Sequence, residues 1–226
     1  MLVIDNLFDE QALININNQL DAFPWDDGKA TAMGMAGAVK HNRQADPTNS
    51  SVKTLANSLL ARLGNHPSFV SAALPHRIFP PCFNSYAQGE TYGFHVDGAI
   101  MRIPHNNEVL RSDLSMTMFF SDANSYEGGE LEISTPFGIQ RVKGQAGSAI
   151  LYPSSSLHQV TPVTKGVRRA AITWVQSLIP SLPMREVLYE LDQSIQTLVS
   201  NPNVDRTELD RLHHVYHNLI RQHSQI

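Results

Sequence analysis

The sequence is short of cysteine: Cys82 is the only one in 226 residues. A single thiol forms no internal disulfide and rules out a cysteine-based zinc site. It fits a reducing compartment. Positive charge is scarce at the start, where no Lys or Arg precedes Lys29. The opening stretch Met1 to Phe8, with Asp5 inside it, lacks the basic region of a signal peptide. No apolar run approaches the roughly 20 residues that span a bilayer. There is no basic excess either. Lys and Arg number 17 against 21 Asp and Glu, a net charge of −4, so no overall field draws nucleic acid or an anionic membrane. Internal repeats and low-complexity tracts are missing too. The expectation is a cytoplasmic protein that binds neither nucleic acid nor membrane; its oligomeric state is not legible.

What is present is an ordinary globular composition, with 42% apolar and 17% charged residues. The length suits one β-rich unit with helical additions. Leu13, Ile16, Leu20 and Phe23 recur at helical spacing, with Asp9 placed as N-cap. Val52, Leu55, Leu59 and Leu63 predict a second helix, ended by Gly64. The Gly28 to Asn49 stretch between them reads as a long loop. From His76 the period changes to two. Leu114, Met116, Met118 and Phe120 alternate with Ser115, Thr117 and Ser121, with Phe119 breaking the rule. Short apolar runs follow at 131–133, 139–142, 149–152 and 168–178, separated by glycine-rich turns, which predicts a sandwich or barrel. Beyond Pro183, two amphipathic stripes close the chain: Met184, Val187, Leu188, Leu191, Ile195 and Leu198, then Leu209, Leu212, Tyr216 and Leu219. The predicted organisation is a helical region at 1–75, a β-barrel domain at 76–179 and a helical extension at 180–226.

The chemistry concentrates around His95. His95 and Asp97 are two apart, and in extended backbone such side chains project to one face. Both could reach one metal ion. Iron needs a third ligand, and His158 is the candidate, since it follows the 148–153 strand and a Ser154-Ser155-Ser156 turn. Two imidazoles and one carboxylate on one side of a metal leave the other positions free, as in non-haem iron(II) oxygenases. An isolated His-x-Asp is more often a structural pair; the combination raises its meaning. Arg168 follows His158 by ten residues and lies on the last strand. A guanidinium on a barrel wall needs an anion, and a dicarboxylate co-substrate supplies one that Arg grips bidentately. Parity does not decide between Arg168 and Arg169 as the inward residue. The spacing from His158 favours Arg168.

Together these motifs resemble the iron- and 2-oxoglutarate-dependent dioxygenase superfamily, in its prolyl-hydroxylase-like branch. Tyr86 to Tyr92 is similar to the Tyr-rich lead-in of that branch, and Glu127-Gly128-Gly129-Glu130-Leu131 to its Gly-Gly-Glu-Leu turn. His158 to Val163, with Gly166 and Arg168, resembles its second-histidine segment. The ending Tyr216 to Gln222 is similar to that of the bacterial PKHD-type, or PiuC-like, hydroxylases. The resemblance implies a mainly β fold, a double-stranded β-helix of jelly-roll or cupin-like form, with supporting helices at the N-terminus and a helical extension at the C-terminus. It implies iron(II) on His95, Asp97 and His158. It also implies 2-oxoglutarate as co-substrate with its distal carboxylate on Arg168, helped by Tyr86, and O₂ as oxidant. L-ascorbate is implied as auxiliary reductant. The expected reaction is hydroxylation of an unidentified, peptidyl or amino-acid-like substrate, releasing succinate and CO₂.

Other features carry less. His213 and His217 have metal-capable helical spacing but no third ligand beside them. His105 reads as an exposed loop residue. Met33 and Met35 could line an entrance, with the loops 28–49 and 98–112 around it. Two alternatives share the triad: a cupin-like metal enzyme without 2-oxoglutarate, which gives Arg168 no role, and a non-catalytic sensor of iron or 2-oxoglutarate.

Overall fold

The computed structural model describes residues 1–31, 34–103 and 108–226. Two antiparallel sheets face each other. Among the described residues the major sheet has eight strands, running in order Leu2–Ile4, Ala149–Pro153, Leu114–Phe119, Arg168–Ser177, Cys82–Tyr86, Arg43–Ala45 and Trp25–Asp27, with Pro75–Ile78 also paired to Arg168–Ser177. The minor sheet has five: Gly138–Val142, Leu131–Thr135, His158–Val160, Thr91–His95 and Lys40–His41.

The break in alternation at Phe119 now has a cause. Leu114, Met116, Met118 and Phe120 project from the major sheet into the core shared with the N-terminal helices. Ser115, Thr117 and Phe119 take the opposite face. Phe119 there packs with Ile150, Tyr152, Leu131 and Ile133 between the two sheets. Both faces of this central strand are covered, so a polar–apolar alternation is not required of it. The inner face is where Ser and Thr are tolerated, because it leads to a polar site.

The outer face of the major sheet is closed by helices. The helix Glu10–Ala22 begins where the Asp9 carboxylate accepts the Ala12 N–H at 2.8 Å. Ser50–Gly64 begins at Asn49 in the same way. Gly64 is the last helical residue, and the Asn65 N–H closes the end by bonding back to the Arg62 and Leu63 carbonyls. These helices and Pro67–Ala73 bury Ile16, Leu20, Leu55, Leu59, Leu63 and Phe69 against Phe83, Met116, Met118 and Val175.

The N-terminal third departs from the helix-and-loop expectation. Leu2–Ile4 extends one end of the major sheet, Arg43–Ala45 and Trp25–Asp27 the other, and Lys40–His41 the minor sheet. Each is two or three residues long, too short to show a period. Their conformation comes from the sheet edges they join.

The C-terminal stripes form helices Leu182–Val199 and Arg206–His223. Leu188 is buried with Leu74 and Ile179 against Tyr216, Leu219 and Ile220. Val187, counted in the stripe, is exposed. Among the described residues no helix is long and apolar enough to cross a membrane.

Candidate metal centre

The minor sheet assembles the centre by register. His158 opens its strand and stands opposite His95, the last residue of Thr91–His95. Their ring centroids are 4.3 Å apart. Asp97 lies just beyond the strand end rather than within it, and the chain there still turns its carboxylate toward both rings. Its Oδ1 is 3.9 Å from His95 Nε2 and its Oδ2 is 3.7 Å from His158 Nε2. One ligand atom from each of the three residues lies within 4.8 Å of the others. His95 and His158 are both buried.

Backbone carbonyls set the tautomers. Nδ1 of His95 lies 2.8 Å from the Gly93 carbonyl, and Nδ1 of His158 lies 2.9 Å from that of Ser156. A carbonyl only accepts, so each Nδ1 carries the proton and each Nε2 offers a lone pair toward Asp97. Burial, then the neighbouring His158, pulls the His95 pKa down to about 4. The imidazole is therefore neutral near pH 7, the form that ligates metal. Tyr92 stacks on the His95 ring at 3.6 Å, and Tyr152 stands edge-on to His158 at 5.3 Å.

Two serines steady the carboxylate. The Ser115 hydroxyl donates to Asp97 Oδ2 at 2.6 Å. Its only proton is thereby committed, so Ser154, 2.8 Å away, donates to Ser115 in turn. Sequence reading gave Ser115 only as the polar half of an alternation and Ser154 only as part of a turn.

Arg168 is the inward arginine. It is 1% exposed. Arg169 points the other way, where its Nη1 pairs with Asp21 at 2.6 Å. Arg168 stands opposite Tyr86 in the strand register. Its guanidinium lies 5.2 Å from the Tyr86 ring centroid and 5.6 Å from that of Phe119. All three of its nitrogens, and the Tyr86 hydroxyl, are buried without a well-formed hydrogen bond among the described residues. Burial, only partly offset by Arg168, pushes the Tyr86 pKa up to about 12, which keeps its phenol protonated and able to donate. The polar neighbours of Arg168 and Tyr86 are themselves uncharged, the Tyr126 phenol beside Arg168 and the Asn42 amide beside Tyr86, and a buried cation without a carboxylate partner makes a site for an anion. The Gly128-Gly129 turn shapes the wall behind it. Gly129 has φ +65°, and a Cβ there would meet Arg168 Cδ at 3.1 Å.

These residues fit the implied groups. Two nitrogen donors and one carboxylate on one side suit iron(II), and Arg168 with Tyr86 suits the far carboxylate of a dicarboxylic acid. The discounted histidines stay apart: His213 and His217 are exposed on the last helix with ring centroids 6.2 Å apart. Among the described residues neither joins a metal-capable group. Met35 is exposed; Met33 and His105 lie outside the described residues.

Comparison with known proteins agrees. Residues 81–176 match the family model of the 2OG-Fe(II) oxygenase superfamily. Residues 183–225 match that of the PKHD-type hydroxylase C-terminal domain. The chain is 59% identical to a PKHD-type hydroxylase of Alteromonas mediterranea and 58% identical to one of Shewanella frigidimarina, over 226 residues and the full length of each chain. Its fold is similar to a Pseudomonas putida prolyl-4-hydroxylase (TM-score 0.51, 16% identity, 78% of this chain and 91% of that one). It is also similar to a Trichoplax adhaerens prolyl hydroxylase solved with a hypoxia inducible factor peptide (TM-score 0.54, 14% identity, 78% and 83%). A third is HygX of Streptomyces hygroscopicus with nickel, 2-oxoglutarate and hygromycin B bound (TM-score 0.51, 14% identity, 79% and 83%). The expected double-stranded β-helix is thus the fold.

Proposed function

This chain belongs to the PKHD-type hydroxylases of the 2OG-Fe(II) oxygenase superfamily, and from that premise we propose which of its residues do the work and on what kind of substrate. His95, Asp97 and His158 hold iron(II). Arg168 and Tyr86 hold the distal carboxylate of 2-oxoglutarate. The observation that carries the reading is three ligand atoms within 4.8 Å of one another, with both histidines on the minor sheet, and a buried guanidinium on the major sheet with no carboxylate partner among the described residues.

Bound iron(II) supplies the redox chemistry in which one atom of O₂ enters succinate and the other the hydroxylated product, with CO₂ released. The chain supplies orientation and dryness. The two fixed tautomers keep both imidazoles aimed. The Ser154–Ser115 relay holds Asp97 at one angle. Phe119, Ile133, Ile150 and Tyr152 line the dry interior. L-ascorbate is proposed as the reductant that restores iron(II) after unproductive turnover. The substrate is of peptidyl or amino-acid type, the class suggested by the prolyl hydroxylases of similar fold. The lone thiol supports a cytoplasmic location. The barrel at 76–179 carries the chemistry, flanked by supporting regions at 1–75 and 180–226.

The test is succinate formation from 2-oxoglutarate by purified protein, with Fe(II) and O₂ varied independently. Turnover is expected only when both are present. Tight binding of metal and 2-oxoglutarate with no succinate under any condition would instead mark a sensor. The relay gives a finer test. Ser115→Ala removes the proton that orients Asp97, and losses of an outer partner of this kind weaken metal binding by roughly 10–100-fold. Calorimetry with Mn(II) should read that loss while the circular dichroism spectrum stays unchanged.

A further inference from the structure

The segment 40–45, whose strands Lys40–His41 and Arg43–Ala45 join different sheets on either side of a bend at Asn42, carries a pattern that the iron chemistry does not use. Lys40, Asn42 and Gln44 are buried, and His41 and Arg43 between them are exposed. This is the alternation of a half-buried strand, but with polar residues on the inside. Gln44 stands opposite Asn84 in the register, and Asn42 Nδ2 donates to Asn84 Oδ1 at 2.9 Å. A run of buried polar side chains beside a metal centre is a wall for a polar ligand.

Lys40 is the charged member, and it is 6% exposed. It stands opposite Tyr92, whose ring centroid lies 5.3 Å from the ammonium. Tyr92 in turn stacks on His95, so Lys40 is one aromatic ring away from the metal centre. Its Nζ donates to Thr31 Oγ1 at 2.9 Å and Gln44 Oε1 at 3.0 Å, both neutral acceptors. Among the described residues one of its three donors is left over. Among the described residues no carboxylate lies within ion-pair distance of it. Asp97 is committed to the metal, Asp27 is exposed and acts only at longer range, and Glu90 is occupied by Arg43 and the Ala87 N–H. Burial lowers the Lys40 pKa to about 8, which still leaves it mostly protonated at pH 7.

In the loaded barrel the charges do not cancel. Asp97 brings one negative charge and iron(II) two positive; 2-oxoglutarate brings two negative, and Arg168 and Lys40 one positive each. One positive charge remains, and it belongs to Lys40. A single ammonium with one spare donor matches a monoanion better than a phosphate dianion.

We propose that Lys40 anchors the molecule to be hydroxylated through a carboxylate, so that the prime substrate is a carboxylic acid or a peptide bearing one. The inference rests on the oxygenase reading above and narrows its substrate class. The test uses full-length protein loaded with Mn(II) and saturated with 2-oxoglutarate, which occupies Arg168. Sodium acetate is the probe, compared with sodium chloride at equal ionic strength, and thermal unfolding is the readout. Acetate should raise the unfolding temperature saturably in the wild type. In Lys40→Met the apparent acetate affinity should fall by at least about tenfold, with 2-oxoglutarate affinity by calorimetry kept within about threefold. Lys40→Gln, polar but uncharged, should behave alike and serves if Lys40→Met folds poorly. No acetate response in the wild type, or an equal response in the variants, overturns the proposal. Failure of the Mn(II) form to bind 2-oxoglutarate at all would overturn the site assignment instead, and calorimetry tells the two apart.

Discussion

His158→Ala is expected to lose metal and turnover together. The proposed ligand set is three protein atoms, and two ligands hold a divalent ion poorly. The loss in Mn(II) affinity should exceed the roughly 10–100-fold that follows removal of an outer partner, and succinate formation should fall to background. Alternative donors are not at hand, because among the described residues no other group of three metal-capable side chains exists. The fold should survive. His158 sits at the start of a three-residue strand whose pairing with Leu131–Thr135 is made by backbone groups, and its ring contacts the Tyr152 and His95 rings. The expected result is a folded protein by circular dichroism that binds no Mn(II) in calorimetry. Wild-type Mn(II) affinity in a folded His158→Ala protein would refute the ligand set.

The residues that read clearly from sequence are those whose meaning lies in short spacing. His95 and Asp97 needed only the two-residue period of extended chain, and the serine turn before His158 placed it at a strand start. The helices at 10–22 and 50–64 announced themselves by apolar period and cap. What did not read were features made by partners far away in the chain. Arg168 and Arg169 are neighbours on opposite faces of one strand, and the register against Cys82–Tyr86 turns Arg168 inward, leaving Arg169 to meet Asp21, 148 residues away, on the other face. Ser115 became a hydrogen-bond partner of Asp97 only through a sheet register that turns it toward the candidate metal centre. Lys40 lay inside what looked like a loop, because a two-residue strand has no period of its own. Polar residues on an inward face also run against the usual pattern. Where local rules fail in this way, function is the common cause.

The arginine is the sharper test, because its two expected effects have opposite signs. Arg168→Met removes a planar cation that would grip a carboxylate, and truncating one member of a buried charge pair costs about 2–5 kcal/mol of binding. The affinity for 2-oxoglutarate should therefore fall by roughly 30- to 5,000-fold. Mn(II) affinity should hardly change, since Arg168 is not among the ligands and lies on the major sheet rather than the minor one. Without co-substrate, the same substitution should make the protein more stable. The guanidinium of the wild type is 1% exposed and lacks a well-formed hydrogen bond among the described residues. Holding an unpaired ion out of water is costly, and an apolar side chain of similar length relieves that cost. A gain of about 1 kcal/mol would raise the unfolding temperature by roughly 2–4 °C in a chain of this size. An arginine kept only for architecture would show the reverse, with lower stability and unchanged co-substrate binding. Activity sites commonly trade stability for function in this way. Urea unfolding and 2-oxoglutarate calorimetry on the same preparation would read both signs, and a variant that is less stable yet binds 2-oxoglutarate normally would remove Arg168 from the site.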